Sequence, residues 1–141
     1  MATVQFVSVE DCDVVEMDIV ARDSDAAHVR LLVDSGFTGD SAIVLSSAFR
    51  RYKYRETDPA STSGALQGQQ ERIVLNCRIP GILVDSRLIA ILADVEPLQL
   101  PPGIDGMVGL TFLRLFDRWG AERTANGWRF FLEKAAGESS T

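Results

Sequence analysis

The fold of this chain is indicated by one stretch of sequence, Leu31-Leu32-Val33-Asp34-Ser35-Gly36, in which an apolar strand leads into a glycine turn. A carboxylate at the end of an apolar strand is costly, because desolvation disfavours its charged form unless hydrogen-bond donors surround it. Asp34 is therefore a candidate catalytic acid. The same triplet also fits an Asx turn, in which the aspartate accepts hydrogen bonds from nearby backbone N–H groups.

Alternating apolar and polar residues predict strands on both sides of this turn. Two short helices are expected, one capped by Ser46 and ending near residue 54, the other over residues 111–118. The sequence predicts one mainly β domain over residues 1–134, followed by a disordered tail over 135–141. The predicted strands cover residues 14–20, 28–33, 41–45, 71–79, 83–95 and 128–132.

A second motif follows about seventy residues after the turn: Met107-Val108-Gly109, introduced by Ile104-Asp105-Gly106. Together the two motifs resemble those of the retropepsin-like aspartic proteases, the single-lobe relatives of pepsin, in their bacterial form. The resemblance runs from about Val14 to Leu132. It implies a closed, mainly β barrel with one or two short helices, active as a twofold homodimer.

The resemblance also implies a mechanism. The family uses two aspartates, whereas this chain has one Asp-Ser-Gly triplet, which neither Asp85-Ser86-Arg87 nor Asp105-Gly106-Met107 repeats. Each subunit of a homodimer would then give one Asp34 to a dyad that shares a proton, activates a water and hydrolyses a peptide bond. Asp105 is expected in a turn before Met107-Val108-Gly109.

The family pattern assigns supporting roles to other residues. Ser35 and Gly36 would support the active-site loop, and Ser35 would reach across the twofold axis to the partner loop. Phe37 and Asp40 are candidate substrate contacts, although a solvated loop acid is the simpler interpretation of Asp40. The polar segment 56–70 stands where the family has its substrate-covering flap, and a plain disordered loop explains the same composition. The flap candidates are Gly64, Ala65 and Leu66.

Composition limits the other classes of function. The chain carries 14 Lys and Arg against 20 Asp and Glu, a net charge of −6, so nucleic acids and anionic membranes are not expected partners. The basic run 50–55 is interpreted as a solvated helix end. His28 is the single histidine and is expected on an exposed face, while Cys12 and Cys77 have the context of buried structural thiols. From the sequence we expect neither a metal ion nor a cofactor. We expect the protein to be cytoplasmic.

Two other interpretations remain open from the sequence. The chain also fits a non-catalytic dimeric module that binds peptides or assembles partners on the same fold. Two independent, solvent-like aspartates would favour that module, whereas one shared proton would favour the protease. In the third interpretation, the Asp-Ser-Gly turn is structural and the domain is an unrelated β-barrel.

Overall fold

The computed structural model describes residues 1–57, 60–62 and 68–135. The helices in this part of the chain are α1 (Leu110–Leu113) and two 3-10 helices (Ser47–Tyr52 and Glu96–Leu98). The protein is mainly β, as the sequence predicts. The strands are β1 (Ala2–Val7), β2 (Val14–Val20), β3 (Ala26–Val33), β4 (Ile43–Ser46), β5 (Arg55–Glu56), β6 (Ala60–Thr62), β7 (Gly68–Ile79), β8 (Leu83–Ala93), β9 (Gly106–Val108), β10 (Arg118–Thr124) and β11 (Gly127–Lys134).

Six strands of the described chain close into a barrel in the order β2-β3-β9-β4-β8-β7. The barrel closes where β7 returns to β2, with Asp18 opposite Arg78 and Ile19 opposite Cys77. Closure removes the unpaired edges that an open sheet of this size would present. A closed barrel with few short helices is the architecture that the retropepsin-like resemblance implies, so this part of the prediction is confirmed.

Several barrel strands are buried on both faces. Their inward side chains belong to the main core, in which Leu31, Ile43 and Val108 are fully buried. The alternate residues form a second apolar cluster, here called the outer cluster, which Leu98 and Leu100 help to cover. This double burial explains why β3 and β8 read as nearly continuous apolar runs. The buried members of the outer cluster are Val44, Ile91, Ala93 and Met107.

The two ends of the chain form a separate antiparallel sheet in the order β1-β11-β10. Phe6, Phe130 and Leu132 pack from this sheet onto the main core. The prediction of a strand at 128–132 is confirmed by β11. The strands β1 and β10 were not predicted, because most of their side chains are exposed or half-buried and lack a clear apolar alternation.

The predicted helices are shorter than expected. Ser46 caps the first one, its hydroxyl accepting from Ala48 N–H at 3.3 Å, and this element is a 3-10 helix that ends at Tyr52. The expected helix over 111–118 is wrong in its extent, since α1 ends at Leu113. The reason is tertiary: Asp117 N–H donates to Glu133 O at 2.8 Å, which draws the chain into the terminal sheet.

The cysteines differ in burial. Cys77 lies in the core, where burial raises the pKa of its thiol to about 12, so it is the structural thiol that was predicted. Cys12 is also free but only half-buried. None of the helices in the described residues has the length and apolar character needed to span a bilayer.

Candidate active site

Asp34 directly follows β3 and is fixed mainly through its backbone. Its N–H donates to Val108 O at 2.9 Å, and its carbonyl accepts from Phe37 N–H at 3.1 Å. Its Oδ1 accepts from Gly36 N–H at 3.0 Å, which is the Asx-turn contact anticipated from the sequence. Within the described residues, Oδ2 accepts no hydrogen bond, and the side chain is half-buried. The loop therefore holds one carboxylate oxygen and leaves the other available.

The segment Met107-Val108-Gly109 crosses beside this loop. Its first two residues belong to β9, which is inserted between β3 and β4, parallel to the first and antiparallel to the second. The chain then fixes the loop from a second side, since Leu110 N–H donates to Phe37 O at 2.9 Å. The two motifs, which are far apart in sequence, are thus in direct contact.

Gly109 makes this close approach possible. A Cβ at this position would overlap both the ring and the carbonyl oxygen of Phe37, well inside van der Waals contact. Gly106 also has no room for a side chain: a Cβ at this position would overlap Val44 O on β4. These contacts explain why the apolar-apolar pair is flanked by glycines.

The two residues after Asp34 are both exposed. A Cβ at Gly36 would lie 3.3 Å from Asp34 Oδ1, so a larger residue would press on the carboxylate. In the part of the chain that the structure describes, the Ser35 hydroxyl makes no hydrogen bond. The position of Ser35 is therefore compatible with a contact outside its own chain.

The two candidate substrate contacts have partners within the molecule. Phe37 is half-buried and packs on the outer cluster. Asp40 is 76% exposed, and its Oδ2 accepts from Arg72 Nη1 at 2.8 Å. The Arg72 side chain is only 12% exposed, so this ion pair ties the loop that follows Asp34 to β7. Asp40 is not the purely solvated acid of the simpler interpretation.

The flap candidates Gly64, Ala65 and Leu66 lie outside the described residues. The flanking strands are described: β6 pairs antiparallel with the first residues of β7, and Thr62 stands opposite Gly68. Within the polar segment 56–70, residues 60–62 therefore pair with residues 68–70. Whether it closes on a substrate stays a prediction.

Asp105 and His28 occupy structural positions. Asp105 Oδ2 accepts from Arg30 N–H at 3.0 Å, and Asp105 N–H donates to Arg30 O at 2.8 Å. His28 is exposed, as predicted, and lies between Glu16 Oε1 at 2.8 Å and Asp18 Oδ1 at 3.0 Å. Hydrogen bonds to these two carboxylates raise the pKa of His28.

Two residues near the loop were missed by the sequence argument. The Thr111 hydroxyl donates to Gly39 O, and Arg72 holds Asp40 as described above. Both contacts join residues far apart in the chain, and a single sequence carries no signal for such pairs. They give the loop that follows Asp34 two further points of attachment.

A cavity of about 320 Å³ lies beside the strand that leads into the site. Asp13 is part of its wall, and the Asp13 carbonyl accepts from Val33 N–H at 2.9 Å. Burial raises the pKa of the Asp13 carboxyl. The cavity is lined by Ser8, Asp11, Asp13, Ala121 and Trp128.

No group of three or more His, Cys, Asp or Glu side chains in residues 1–57, 60–62 and 68–135 is arranged to hold a metal ion.

Comparisons with known proteins give one partial similarity. No protein-family model matches the chain, and no curated protein matches it. Among solved structures, the EIAV protease in complex with the inhibitor HBY-793 is similar, with 17% sequence identity and a TM-score of 0.43. The matched region covers 77% of this chain and 91% of that protease.

Proposed function

We propose that the protein is an aspartic endopeptidase that acts as a homodimer, each subunit contributing one Asp34. The observation that carries this proposal is the Asp34 loop itself. Its carboxylate is held by Gly36 N–H through one oxygen, with the other oxygen available, and β9 fixes the loop from the side. A rigid, half-buried carboxylate with one free oxygen is suited to general acid–base chemistry.

The second carboxyl group has to come from a second copy. The two triplets compared with Asp34-Ser35-Gly36 above use their carboxylates elsewhere, Asp85 with Arg78 and Asp105 with Arg30 N–H. Acid and base roles at one peptide bond need two carboxyl groups whose protonation states differ. A twofold axis beside the loop would supply the second Asp34 by symmetry.

The reaction follows from this pair. Two carboxylates in contact hold one proton between them, because both cannot ionise easily. The ionised Asp34 takes a proton from a water, whose oxygen attacks the peptide carbonyl carbon, while the protonated Asp34 gives its proton to the carbonyl oxygen. The tetrahedral intermediate then breaks its C–N bond: the nitrogen leaves as the amine with the proton held by the dyad, one hydroxyl of the intermediate returns its proton to the dyad, and a carboxylic acid remains.

Other residues would shape the site around the dyad. By the family resemblance, Ser35 reaches the partner loop and fixes the two carboxylates relative to each other. An extended substrate would lie across the loops like an added strand, near Phe37 and beneath the hairpin of β6 and β7. We further propose a cytoplasmic location, in keeping with the two free cysteines.

The test is Asp34→Asn, assayed on a peptide library while sedimentation reports the assembly state. Asparagine keeps the shape and the oxygen that accepts from Gly36 N–H but cannot exchange the proton. We expect a dimeric variant with kcat/KM lower by about 10³-fold. The matched control is Asp23→Asn, an exposed loop aspartate whose Oδ1 accepts from Asp25 N–H, and it should cleave like the wild type.

Two results would refute the proposal. One is an Asp34→Asn variant that cleaves peptides at the rate of the wild type. The other is a wild-type dimer that binds peptides without cleaving any of them, which would leave the peptide-binding module as the function. A shared proton can be sought separately by following the titration of Asp34 in the dimer.

A further inference from the structure

Tyr54 is surrounded by two guanidinium groups at the end of the barrel away from Asp34. The Cζ atom of Arg87 lies 4.2 Å from the ring centroid, and that of Arg22 lies 4.8 Å from it. Arg87 Nη2 also donates to Tyr54 Oη at 2.8 Å, and Arg22 Nε donates to Tyr54 O at 2.7 Å. We call Arg22, Tyr54 and Arg87 the Tyr54 cluster.

Within the described part of the chain, neither arginine of this cluster forms an ion pair. Neither guanidinium has a carboxylate within ion-pair distance, and the further acceptors of Arg87 are neutral oxygens of Asn76 and Asp85. Three carboxylates close in sequence pair with other cations: Asp25 with Arg51 at 2.6 Å, Glu56 with Lys53 at 2.9 Å, and Asp85 with Arg78 at 3.3 Å. The carboxylate of Asp23, which follows Arg22 in the chain, accepts from Asp25 N–H at 3.0 Å.

Both arginines are exposed and therefore accessible to a ligand. Neutral acceptors and the Tyr54 ring already hold them in place, so binding costs them less side-chain entropy than it would cost free arginines. The hydrogen bond from Arg87 and the charges of both arginines lower the pKa of the Tyr54 hydroxyl, while the nearby Asp85 carboxylate acts in the opposite direction. In a chain with a net charge of −6, such a preformed cationic site is a local exception.

We propose that Arg22 and Arg87 form a binding site for a phosphate dianion, either inorganic phosphate or a phosphate monoester. Guanidinium groups present a planar fork that matches phosphate oxygens, and two of them match the charge of about −2 that a phosphate carries. Remaining N–H donors on both side chains are available for these bonds.

The proposed site is separate from the Asp34 loop. Arg22 follows β2, whose last residue Val20 stands opposite Ala26, at the start of β3, whereas Asp34 follows the end of β3. Eight residues of strand at about 3.3 Å each put roughly 25 Å between the two positions. The proposal is thus independent of the peptidase activity and survives if that activity is absent.

The experiment is a two-dimensional NMR titration of the full chain at constant ionic strength. Inorganic phosphate, O-phospho-L-serine and succinate are added in turn while the guanidinium and backbone signals of the Tyr54 cluster are followed. We expect saturable shifts with both phosphates and weak, non-saturating ones with succinate. A lower Kd for phosphoserine than for inorganic phosphate would identify a monoester as the ligand, and equal values would identify free phosphate.

Matched variants make the result specific. Arg87→Gln and Arg22→Gln should each raise the Kd for phosphate by about tenfold, because each removes a charge-assisted fork. Arg123→Gln, an exposed arginine of β10, should bind phosphate like the wild type. The proposal is overturned by an equal loss in Arg123→Gln, by succinate binding as tightly as phosphate, or by shifts that do not saturate.

Discussion

Asp34 follows the last residue of β3, and Asp105 precedes the first residue of β9, the strand that runs parallel to β3. Each is half-buried, and each carboxylate accepts one backbone N–H. The donor to Asp34 belongs to its own loop, whereas the donor to Asp105 is Arg30 N–H on the neighbouring strand. A carboxylate that joins two strands contributes to stability, and one held only by its own turn remains available for chemistry.

The largest expected effect is on activity at Asp34. The Asp34→Asn variant described above should lose about 10³-fold in kcat/KM while its free energy of unfolding changes by less than about 0.5 kcal/mol, because the amide oxygen still accepts from Gly36 N–H. Urea unfolding of the variant and the wild type checks the predicted free energy of unfolding. A large loss of stability in Asp34→Asn would show that the two aspartates do not differ in the way their donors suggest.

The contact that brings the two motifs together is tested next. Gly109→Ala places a Cβ against the ring and the carbonyl oxygen of Phe37, and the backbone oxygen cannot rotate away. We expect a loss of about 3 kcal/mol in the free energy of unfolding, measured by urea denaturation. The control is Gly120→Ala, whose Cβ would meet Phe131 Cε1 at an ordinary 3.5 Å and should change stability little. Equal stabilities of the two variants would contradict the close approach at Gly109.

Asp105→Ala tests whether the Asp105 carboxylate stabilises the fold. Removing the carboxylate leaves Arg30 N–H without this acceptor between β3 and β9, which should lower the free energy of unfolding by about 1–3 kcal/mol. The measurement is the midpoint of urea unfolding at an unchanged m-value. Asp105→Asn keeps an acceptor oxygen and should recover most of the loss. Peptide cleavage per folded molecule should stay at the wild-type level in both variants, in contrast to Asp34→Asn.

The parts of this picture that sequence could predict are those in which one segment carries its own signal. Val14–Val20 alternates along a half-buried strand and was predicted at its observed bounds. The turn at Asp34, with its bond from Gly36 N–H, was anticipated from the apolar strand before it and the glycine after it. The sequence also suggested that Asp105 was not a second catalytic acid, although its bond to Arg30 N–H was not visible there.

The remaining features depend on partners distant in sequence. β10 has little apolar periodicity and exists because β11 pairs with it along its whole length. The helix expected after Gly109 is cut short by the bond from Asp117 N–H to Glu133 O. The attachment of Asp40 to Arg72 spans 32 residues, and no local pattern announces it. In each case tertiary pairing overrides or adds to a weak local preference.

The smallest expected effect concerns His28, the titratable group that β3 carries at the end away from Asp34. Glu16 and Asp18 raise its pKa in the folded protein above the ordinary value of 6.5, so the pair of carboxylates stabilises the protein when the imidazole is protonated. This contribution is complete below about pH 6.5 and is lost as the pH rises through the raised, folded-state pKa. Its size should be only roughly 0.2–1 kcal/mol, since the His28 side chain is 58% exposed and salt screens the pair.

The measurement for His28 is the free energy of unfolding at pH 6 and pH 9, for the wild type and His28→Gln, at low and high salt. The stability of the wild type relative to the variant should fall between the two pH values at low salt and change less at high salt. Arg30 is the further cation on this surface, 3.8 Å from Glu16 Oε1, and it keeps its charge across the range. A difference that instead grew with pH would mean that Glu16 and Asp18 favour the neutral imidazole, contrary to the distances of 2.8 Å and 3.0 Å observed here.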